Sequence, residues 1–492
     1  MNKWKNLQNG SDIRGVALDG IDDEPITLTP NISRTIGWAF SYWLKDKLGL
    51  NNIIIAVGHD SRISSEIIKN AVFEGIIHSD SECIDCGLAS TPAMFMSTQF
   101  PNHNYDGSIM LTASHLPFNR NGLKFFTKDG GLSKEDISQI LVLAESKEHI
   151  NSFLLPNIKK VNLMIDYANH LVGIIRSKTD MEKPLRGLKI IVDAGNGAGG
   201  FFVNDVLNPL GADTRGSQFL EPNGNFPNHI PDPENKDAIN SLINAVINNN
   251  ADLGIIFDTD VDRAGAVDKN GSPINRNKFI ALMSFIILEE YPGTTIVTDS
   301  VTSVGLKKWI ESLGGIHYRF KRGYKNVINE SKRLNNNNIS SELALETSGH
   351  GALKENYFLD DGAYQIAKIL IKTSKLYHNN QGSIDQLIEG LEEPKDQIEF
   401  RPNITCEDFS SYADLIISLF NTYVINHPIW KLTPNNFEGI HVTLPNGWIL
   451  LRKSLHDPKI PINIETNNKN GAIEIKLEIL EFLRQFKDLE LS

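Results

Sequence analysis

The sequence predicts an α/β protein with mixed or parallel sheets, and three observations support this class. Short apolar runs rich in β-branched residues end abruptly in Gly or Asp at residues 53–57, 188–192, 253–257 and 294–298. Each run is followed by a loop and a helical stretch, as expected for strands buried on both faces. The 492-residue chain has 40% hydrophobic and 22% charged residues, which is typical of folded globular proteins.

The chain is longer than one hydrophobic core usually supports, so three or four domains are expected. Polar or Gly-rich breaks predict the regions 1–160, 161–270, 271–385 and 386–492. In open α/β sheets, ligands bind beyond the carboxyl ends of the strands. The Gly/Asp loops are therefore where function is expected.

Charge and composition argue against several classes of partner and several cellular locations. The net charge of -12 provides no basic field for nucleic acid or an anionic membrane, so neither partner is predicted. No apolar run reaches the ~18 residues of a membrane span, and the first residues do not resemble a signal peptide, so a cytoplasmic location is expected.

The three cysteines, Cys83, Cys86 and Cys406, do not suggest a disulfide framework. Cys83 and Cys86 have CxxC spacing but no partner motif, and we interpret them as small strand-end residues, with a redox or zinc motif as the alternative.

The strongest chemical motif is Asp258, Asp260 and Asp262, directly after a predicted strand. Side chains alternate along an extended segment, so the three carboxylates would point to one side and surround one hard cation. Oxygen ligands of this kind suit Mg²⁺. An EF-hand would need Gly and Glu where Arg263 and Lys269 stand. A solvated acidic strand end is the alternative.

Ser114 lies beside His115 in a turn-rich segment, residues 111–124. Adjacent residues rarely form the serine–histidine pair of a hydrolase, and no Gly-x-Ser-x-Gly elbow surrounds the serine. Taken alone, Ser114 is better explained as a turn or helix N-cap residue.

Three further segments carry polar groups after predicted strands. Residues 345–351 contain hydroxyl, carboxylate and imidazole groups that suit a sugar, although an ordinary polar loop fits as well. In residues 448–458 an apolar strand runs into Arg452, whose planar fork matches a phosphate, although a lone surface arginine is the more common case. Residues 195–200 form a literal GxGxxG, so a nucleotide-dependent oxidoreductase is a second class of function.

Taken together and in chain order, these segments resemble the α-D-phosphohexomutase family over nearly the whole chain. The matching segments are 11–15, 58–65, the Ser114 loop with Asn121, Gly122 and Lys124, residues 222–233, and the Asp258, Glu346 and Arg452 loops. The resemblance implies four domains, of which three are related α/β units with mixed sheets and the fourth is a smaller α+β C-terminal domain. It also recasts residues 195–200 as a tight turn between a strand and a helix.

The resemblance also implies a role for each motif residue. Ser114 would carry the phosphoryl group and, with Asp258, Asp260 and Asp262, would bind Mg²⁺. His115, Lys124 and Arg263 would complete the catalytic set. The expected substrate-binding residues are Arg14, Glu346, Ser348, His350, Arg452, Ser454 and His456.

The implied reaction interconverts hexose 1-phosphate and hexose 6-phosphate of mannose or glucose, with hexose 1,6-bisphosphate as intermediate and activator. The enzyme would be a monomer or a small homo-oligomer. A glucosamine phosphate substrate and a catalytically silent sugar-phosphate binding protein are the alternatives. Val301 and Tyr324 stand where some members carry Lys and His. Lys124 is the first candidate general acid/base, followed by Lys321, Tyr324 and Lys325.

Overall fold

The computed structural model describes residues 3–147, 149–454 and 457–491. The chain forms two compact units. Unit 1 comprises Met1–Asn275 and Ser348–Ile384, and unit 2 comprises Arg276–Thr347 and Asp385–Ser492. The four-domain division expected from the sequence stays a prediction.

The first part of unit 1 is a mixed eight-stranded sheet with helices packed against it. In the order β1-β2-β6-β5-β3-β4-β8, strands β5, β3, β4 and β8 are parallel, β6 is antiparallel to both of its neighbours, and β7 pairs with β6. The elements are β1 (Gln8–Asn9), β2 (Asp12–Val16), α1 (Pro30–Leu48), β3 (Ile54–His59), α2 (Ser65–His78), β4 (Glu82–Leu88), α3 (Thr91–Met96), β5 (Gly107–Leu111), β6 (Arg120–Thr127), β7 (Gly130–Gly131), α4 (Lys134–Ser146), β8 (Lys159–Lys160) and α5 (Leu163–Thr179).

Local sequence signals explain the ends of the first helix. The Thr29 side chain accepts a hydrogen bond from the Ile32 backbone N–H, and Pro30 occupies the first turn, where its missing N–H costs nothing. The helix ends at Gly49, whose φ of +65° is the left-handed conformation that glycine adopts readily.

The second sheet of unit 1 has the order β12-β11-β10-β9. Strands β9 and β10 are parallel, and the remaining pairs are antiparallel. All residues of β10 and β11 are buried, so two buried strands hold the ends of the turn that joins them. The elements are β9 (Ile190–Asp193), a short π-helical segment (Phe202–Leu207), α6 (Lys236–Asn249), β10 (Leu253–Phe257), β11 (Ala264–Asp268) and β12 (Pro273–Ile274).

Unit 2 begins with three parallel strands, in which β13 lies between β14 and β15. The chain then returns to unit 1 for the antiparallel pair β16–β17 and the long helix α10. The elements are α7 (Arg276–Glu290), β13 (Thr295–Thr298), α8 (Val304–Ser312), β14 (Ile316–Arg319), α9 (Tyr324–Asn336), β15 (Leu343–Leu345), β16 (Gly351–Leu353), β17 (Leu359–Asp360) and α10 (Gly362–His378).

The C-terminal part of unit 2 is an antiparallel sheet, β18-β23-β22-β21-β20, whose core residues also come from two helices. A separate pair is formed by β19 and β24. The elements are β18 (Asp396–Phe400), β19 (Asn403–Ile404), α11 (Phe409–Asn426), β20 (Lys431–Leu432), β21 (Ile440–Leu444), β22 (Gly447–Leu451), β23 (Ile462–Thr466), α12 (Gly471–Leu483) and β24 (Leu489–Glu490).

The α/β class with mixed sheets is confirmed, and each of the four apolar runs forms a strand (β3, β9, β10 and β13).

The interpretation of Cys83 and Cys86 as strand-end residues is wrong. Cys83 and Cys86 lie inside β4, not at a strand end, and are both buried, so burial raises the pKa of each thiol to about 12. Among the described residues, no helix has the length and hydropathy needed to cross a bilayer, and the cytoplasmic location stays a prediction.

Candidate functional site

Ser114 lies in the loop after β5 and is 3% exposed. Its φ is +51°, a left-handed conformation that is uncommon for a residue with a side chain. The backbone N–H of Ser114 donates to the Thr112 hydroxyl at 2.9 Å, which helps to hold this conformation. Strained backbone of this kind persists only where the surroundings impose it, and it is common at active sites.

Arg62 imposes the shape of the serine loop. Its two terminal nitrogens donate to the carbonyl oxygens of four residues, Ser114, Leu116, Pro117 and Arg120, at 2.5–2.9 Å. Arg62 is 2% exposed, and the buried Asp60 carboxylate lies 3.4 Å from its Nε. The sequence motif 58–65 contained this pair, but sequence reasoning gave Arg62 no role.

The carboxylates of Asp258, Asp260 and Asp262 meet in the turn between β10 and β11. Their oxygens lie within 4.8 Å of one another, and all three residues are buried. The expectation of an extended segment is wrong: residues 258–262 form a tight turn, with Val261 at a φ of +66°. The carboxylates therefore converge because the backbone curls around them, not because side chains alternate along a strand.

The Lys124 ammonium is the cation closest to this cluster in the described structure. Its Nζ donates to Asp260 at 3.0 Å and to Asp262 at 2.5 Å. One oxygen of each of these two aspartates is buried and has no hydrogen-bond partner among the residues that the structure describes. Buried, underused carboxylate oxygens are the ligands that a hard divalent cation prefers, so the residues fit a metal such as Mg²⁺.

The electrostatics of the cluster show the strain of three buried carboxylates. Burial, together with the charges of Asp262 and Asp260, holds the pKa of Asp258 well above its usual range. Burial also acts to raise the pKa of Asp262, but Lys124, His350 and Arg263 together outweigh it and hold that pKa below its usual range. A bound divalent cation would relieve this repulsion.

Arg263 links the carboxylate cluster to the serine. Its Nε donates to Asp258 Oδ2 at 3.3 Å, and its Nη2 lies 3.3 Å from Ser114 Oγ. Ser114 Oγ itself donates to Asp258 Oδ2 at 3.0 Å. A third nitrogen, Nη1, donates to Asp232 Oδ1 at 2.9 Å. The guanidinium is thus aimed at the serine oxygen from a fixed position.

His115 accepts a hydrogen bond at its Nδ1 from Arg263 Nη2 at 2.8 Å. The same nitrogen lies 3.3 Å from Ser114 Oγ. Burial and the Arg263 charge lower the pKa of His115 to about 4. The ring is therefore neutral near pH 7 and offers Nδ1 as an acceptor.

Two more predicted residues lie near this centre in unit 1. Arg14 in β2 pairs across the sheet with Gly122, donates to Asp12 Oδ2 at 3.0 Å, and its charge contributes to the lowered pKa of His115. His350 Nδ1 lies 2.6 Å from Asp360 Oδ2 and 3.9 Å from an oxygen of Asp262. His350, expected to bind the sugar, thus stands beside the carboxylate cluster. Ser348 is half-buried in the same loop.

In unit 2, Glu346 follows β15 and accepts a hydrogen bond from the Gly323 backbone N–H at 2.5 Å. The adjacent Thr347 donates through its hydroxyl to Asp299 Oδ2 at 2.6 Å. Asp299 is fully buried, and its other oxygen meets no hydrogen-bond partner within the described ranges. The loops after β13 and β15 thus bring carboxylate and hydroxyl groups together.

Arg452 follows β22 and is 8% exposed. In the described part of the chain, its nearest carboxylate oxygen belongs to Glu438, 3.9 Å from Nη1, and its Nε has no hydrogen-bond partner. Ser454 is half-buried and accepts a hydrogen bond from the Asp457 backbone N–H at 3.2 Å. The predicted His456 lies outside the described residues.

The glycines of residues 195–200 have a structural explanation. A Cβ at Gly197 would lie 2.6 Å from the Thr259 carbonyl oxygen, and one at Gly200 would lie 2.3 Å from the Leu220 carbonyl oxygen. Gly195 has a φ of +53°. These contacts explain the glycines by backbone packing under the aspartate turn, without a bound dinucleotide.

The candidate acids and bases of unit 2 lie around the start of α9. Tyr324 and Lys325 are half-buried in its first turn. Lys321 is exposed, and its ammonium lies 5.9 Å from the centre of the Phe320 ring. Lys124, the first candidate, lies in unit 1 and is bound to two aspartates.

Comparison with known families places most of this chain in one group. Three models of phosphoglucomutase/phosphomannomutase match it, alpha/beta/alpha domain I at residues 5–150, domain II at 166–271 and domain III at 275–393.

Individual proteins agree with the family models. The chain is 30% identical to a phosphomannomutase/phosphoglucomutase of Pseudomonas syringae, over 93% of this chain and 90% of the relative. It is 28% identical to a phosphoglucomutase of Neisseria gonorrhoeae, over 96% and 95%. The crystal structure of a phosphoglucomutase/phosphomannomutase family protein from Burkholderia thailandensis has the same fold, with a TM-score of 0.81 at 23% identity and full coverage of both chains.

Proposed function

This chain belongs to the phosphoglucomutase/phosphomannomutase family and is a phosphohexose mutase, and we propose that it interconverts the 1-phosphates and 6-phosphates of mannose or glucose with Ser114 as the phosphoryl carrier. One observation carries the proposal: the Ser114 hydroxyl lies 3.0 Å from Asp258 and 3.3 Å from Arg263, beside three converging carboxylates. A hydroxyl between a guanidinium and a candidate metal cluster is placed to carry a phosphoryl group.

Phosphoryl transfer needs positioning and charge neutralisation more than covalent chemistry from the protein. In the proposed cycle, the bond between Ser114 Oγ and phosphorus breaks as a bond forms from phosphorus to a sugar hydroxyl oxygen. The sugar hydroxyl gives up its proton and Ser114 Oγ takes up a proton, with Lys124 as the first candidate general acid/base, so that the serine hydroxyl is restored. The product is a hexose 1,6-bisphosphate, which returns its other phosphoryl group to Ser114 by the reverse step.

The residues around Ser114 have separate tasks in this proposal. Arg263 neutralises charge on the transferring phosphoryl group, and Arg14 approaches it from β2. The neutral His115 accepts from Arg263 and so fixes the direction of that guanidinium. Asp258, Asp260 and Asp262, with an oxygen of the serine phosphate, would hold Mg²⁺, which supplies positive charge at the phosphoryl oxygens.

The remaining candidate residues are assigned to substrate binding. We assign Glu346 and Ser348 to the sugar hydroxyls, and Arg452 and Ser454 to the phosphate that is not being transferred. The incompletely paired, buried guanidinium of Arg452 supports this assignment, because such a group binds an anion with little competition from water. We also keep His350 as a substrate-binding residue, with its ring oriented by the contact between Nδ1 and Asp360.

The test measures phosphoryl transfer to the serine and turnover separately. Intact-mass analysis after incubation with glucose 1,6-bisphosphate and Mg²⁺ should show a gain of one phosphate in the wild type and in Ser138→Ala, an exposed serine, but none in Ser114→Ala. A coupled assay should then show turnover of mannose 1-phosphate or glucose 1-phosphate.

Two results would redirect the proposal. Faster turnover of glucosamine 1-phosphate would change the assigned substrate. A wild type that binds sugar phosphate but gains no phosphate, under conditions where a known mutase does, would be a binding protein and would overturn the proposed reaction.

A further inference from the structure

We propose that Glu438 is an internal competitor for the anion site of Arg452, so that a substrate phosphate binds by displacing this carboxylate. The inference rests on the proposed function, in which Arg452 holds the phosphate that is not being transferred. All residues involved belong to unit 2. Sequence reasoning gave Glu438 no role.

Glu438 is held in place from two directions. The Ser300 hydroxyl donates to its Oε2, and the Arg322 backbone N–H donates to the same oxygen at 3.1 Å. The other oxygen, Oε1, faces Arg452. The Glu438 side chain is only 15% exposed, so its charge is little screened by water. One carboxylate thus joins the loop after β13, the loop before α9 and the strand end at Arg452.

The contact between Glu438 and Arg452 is loose. At 3.9 Å it is too long for a hydrogen bond, and Arg452 Nε has no hydrogen-bond partner among the described residues although Arg452 is more than nine-tenths buried. Burial lowers the pKa of Arg452, and the nearby Arg322 guanidinium adds to this effect. A buried cation left this poorly paired is costly, so an anion that makes shorter, bidentate contacts would replace the carboxylate favourably.

The surrounding charge also favours exchange for a more highly charged group. The field at Arg452 comes from Arg322 and Arg401, which repel it, and from Glu438 and Glu399, which attract it. Once Glu438 is displaced, Arg452 and the two other arginines face only Glu399, which leaves two positive charges. A phosphate dianion matches this site better than a carboxylate does, and a neutral sugar cannot displace Glu438 at all. The residue would therefore select phosphorylated sugars over free sugars.

The substitution Glu438→Gln distinguishes two roles for Glu438: competing with phosphate for Arg452, or only holding Arg452 in position. The glutamine carbonyl can still accept from Ser300 and from the Arg322 backbone, but it no longer neutralises Arg452. If Glu438 competes, the dissociation constant of inorganic phosphate and the KM for hexose phosphate both fall, by about fivefold, while kcat stays within twofold. If Glu438 only positions Arg452, both constants rise or stay unchanged, and the proposal is overturned.

A binding measurement and control variants show whether the change in phosphate affinity is due to Glu438. Calorimetry with inorganic phosphate needs no turnover, so it reports on Glu438 even if the wild type proves inactive as a mutase. Glu407→Gln removes one exposed charge elsewhere and should leave phosphate binding unchanged. If Glu438→Gln does not fold, Glu438→Asp withdraws the carboxylate by about one bond length, ~1.5 Å, and should also tighten phosphate binding. The proposal would be overturned if neither folded variant bound phosphate more tightly than the wild type, or if none of these proteins bound phosphate.

Discussion

Asp232 Oδ1 lies 2.9 Å from Arg263 Nη1. A carboxylate on the loop of residues 222–233 therefore fixes the position of the guanidinium that reaches Ser114. The loop is itself fastened, because His229 Nε2 lies 3.0 Å from the buried Asp193 at the end of β9. Arg263 is thus positioned by a chain of contacts that starts in the second sheet.

We expect Asp232→Asn to lower kcat by about 10–100-fold with little change in KM. A charge-assisted hydrogen bond of this kind contributes about 1.5–3 kcal/mol, and here it fixes a group that acts mainly on the phosphoryl group in transfer. Steady-state kinetics and the rate of phosphoryl loss from phospho-Ser114, followed by intact mass, would measure the effect. The exposed Asp22→Asn serves as control. A kcat within twofold of the wild type would show that Arg263 keeps its position without Asp232.

Asp258→Asn should abolish activity but make the metal-free protein more stable. Three buried carboxylates repel one another, and Asp258 already has a pKa held well above its usual range by burial and by its neighbours. Neutralising one of them should raise the Tm of the metal-free protein by about 2–4 °C. The rise in Tm on adding Mg²⁺, which the wild type should show, should be lost. A lower Tm in EDTA for the variant would contradict the repulsion argument.

The ion pair of His229 and Asp193 predicts a pH-dependent contribution to stability. Burial acts to lower the pKa of His229, but the Asp193 carboxylate outweighs it, and the net shift is upward. A raised folded pKa stabilises the fold fully below the unfolded value of about 6.5 and loses this effect as the pH rises through the folded pKa. The Tm difference between wild type and His229→Gln should therefore be largest near pH 6 and shrink toward pH 9. The exposed His149→Gln should show no such trend; a constant difference for His229→Gln would refute the assignment.

Much of the fold and the identity of the central residues could be predicted from the sequence because the signals are local. A buried strand followed at once by Asp258, Asp260 and Asp262 needs only a few neighbouring residues to be recognised. The geometry was less accessible. The convergence of these carboxylates depends on a tight turn with Val261 at a positive φ, which a β-branched residue rarely adopts and no pattern of hydrophobicity indicates.

The supporting contacts could not be predicted, because they join distant parts of the chain. Arg62 donates to carbonyl oxygens 52–58 residues further along the chain, and Ser300 meets Glu438 at a separation of 138 residues. Such pairings leave no periodicity in the sequence. A weaker signal exists for Arg62 and Asp232, because both lie in segments that match the family.

Gly197 offers a direct test of how closely the turn of residues 195–200 supports the aspartate cluster. An added Cβ would lie 2.6 Å from the carbonyl oxygen of Thr259, which stands between Asp258 and Asp260. Gly197→Ala should therefore destabilise the protein by about 1–3 kcal/mol and weaken Mg²⁺ binding, because the metal-binding turn must move. Gly173→Ala is the matched control, since its Cβ would meet nothing within 4 Å in α5 and alanine favours a helix by about 1 kcal/mol. Denaturant unfolding and Mg²⁺ titration of both variants would check this, and equal stability for the two would show that the turn yields without disturbing the aspartates.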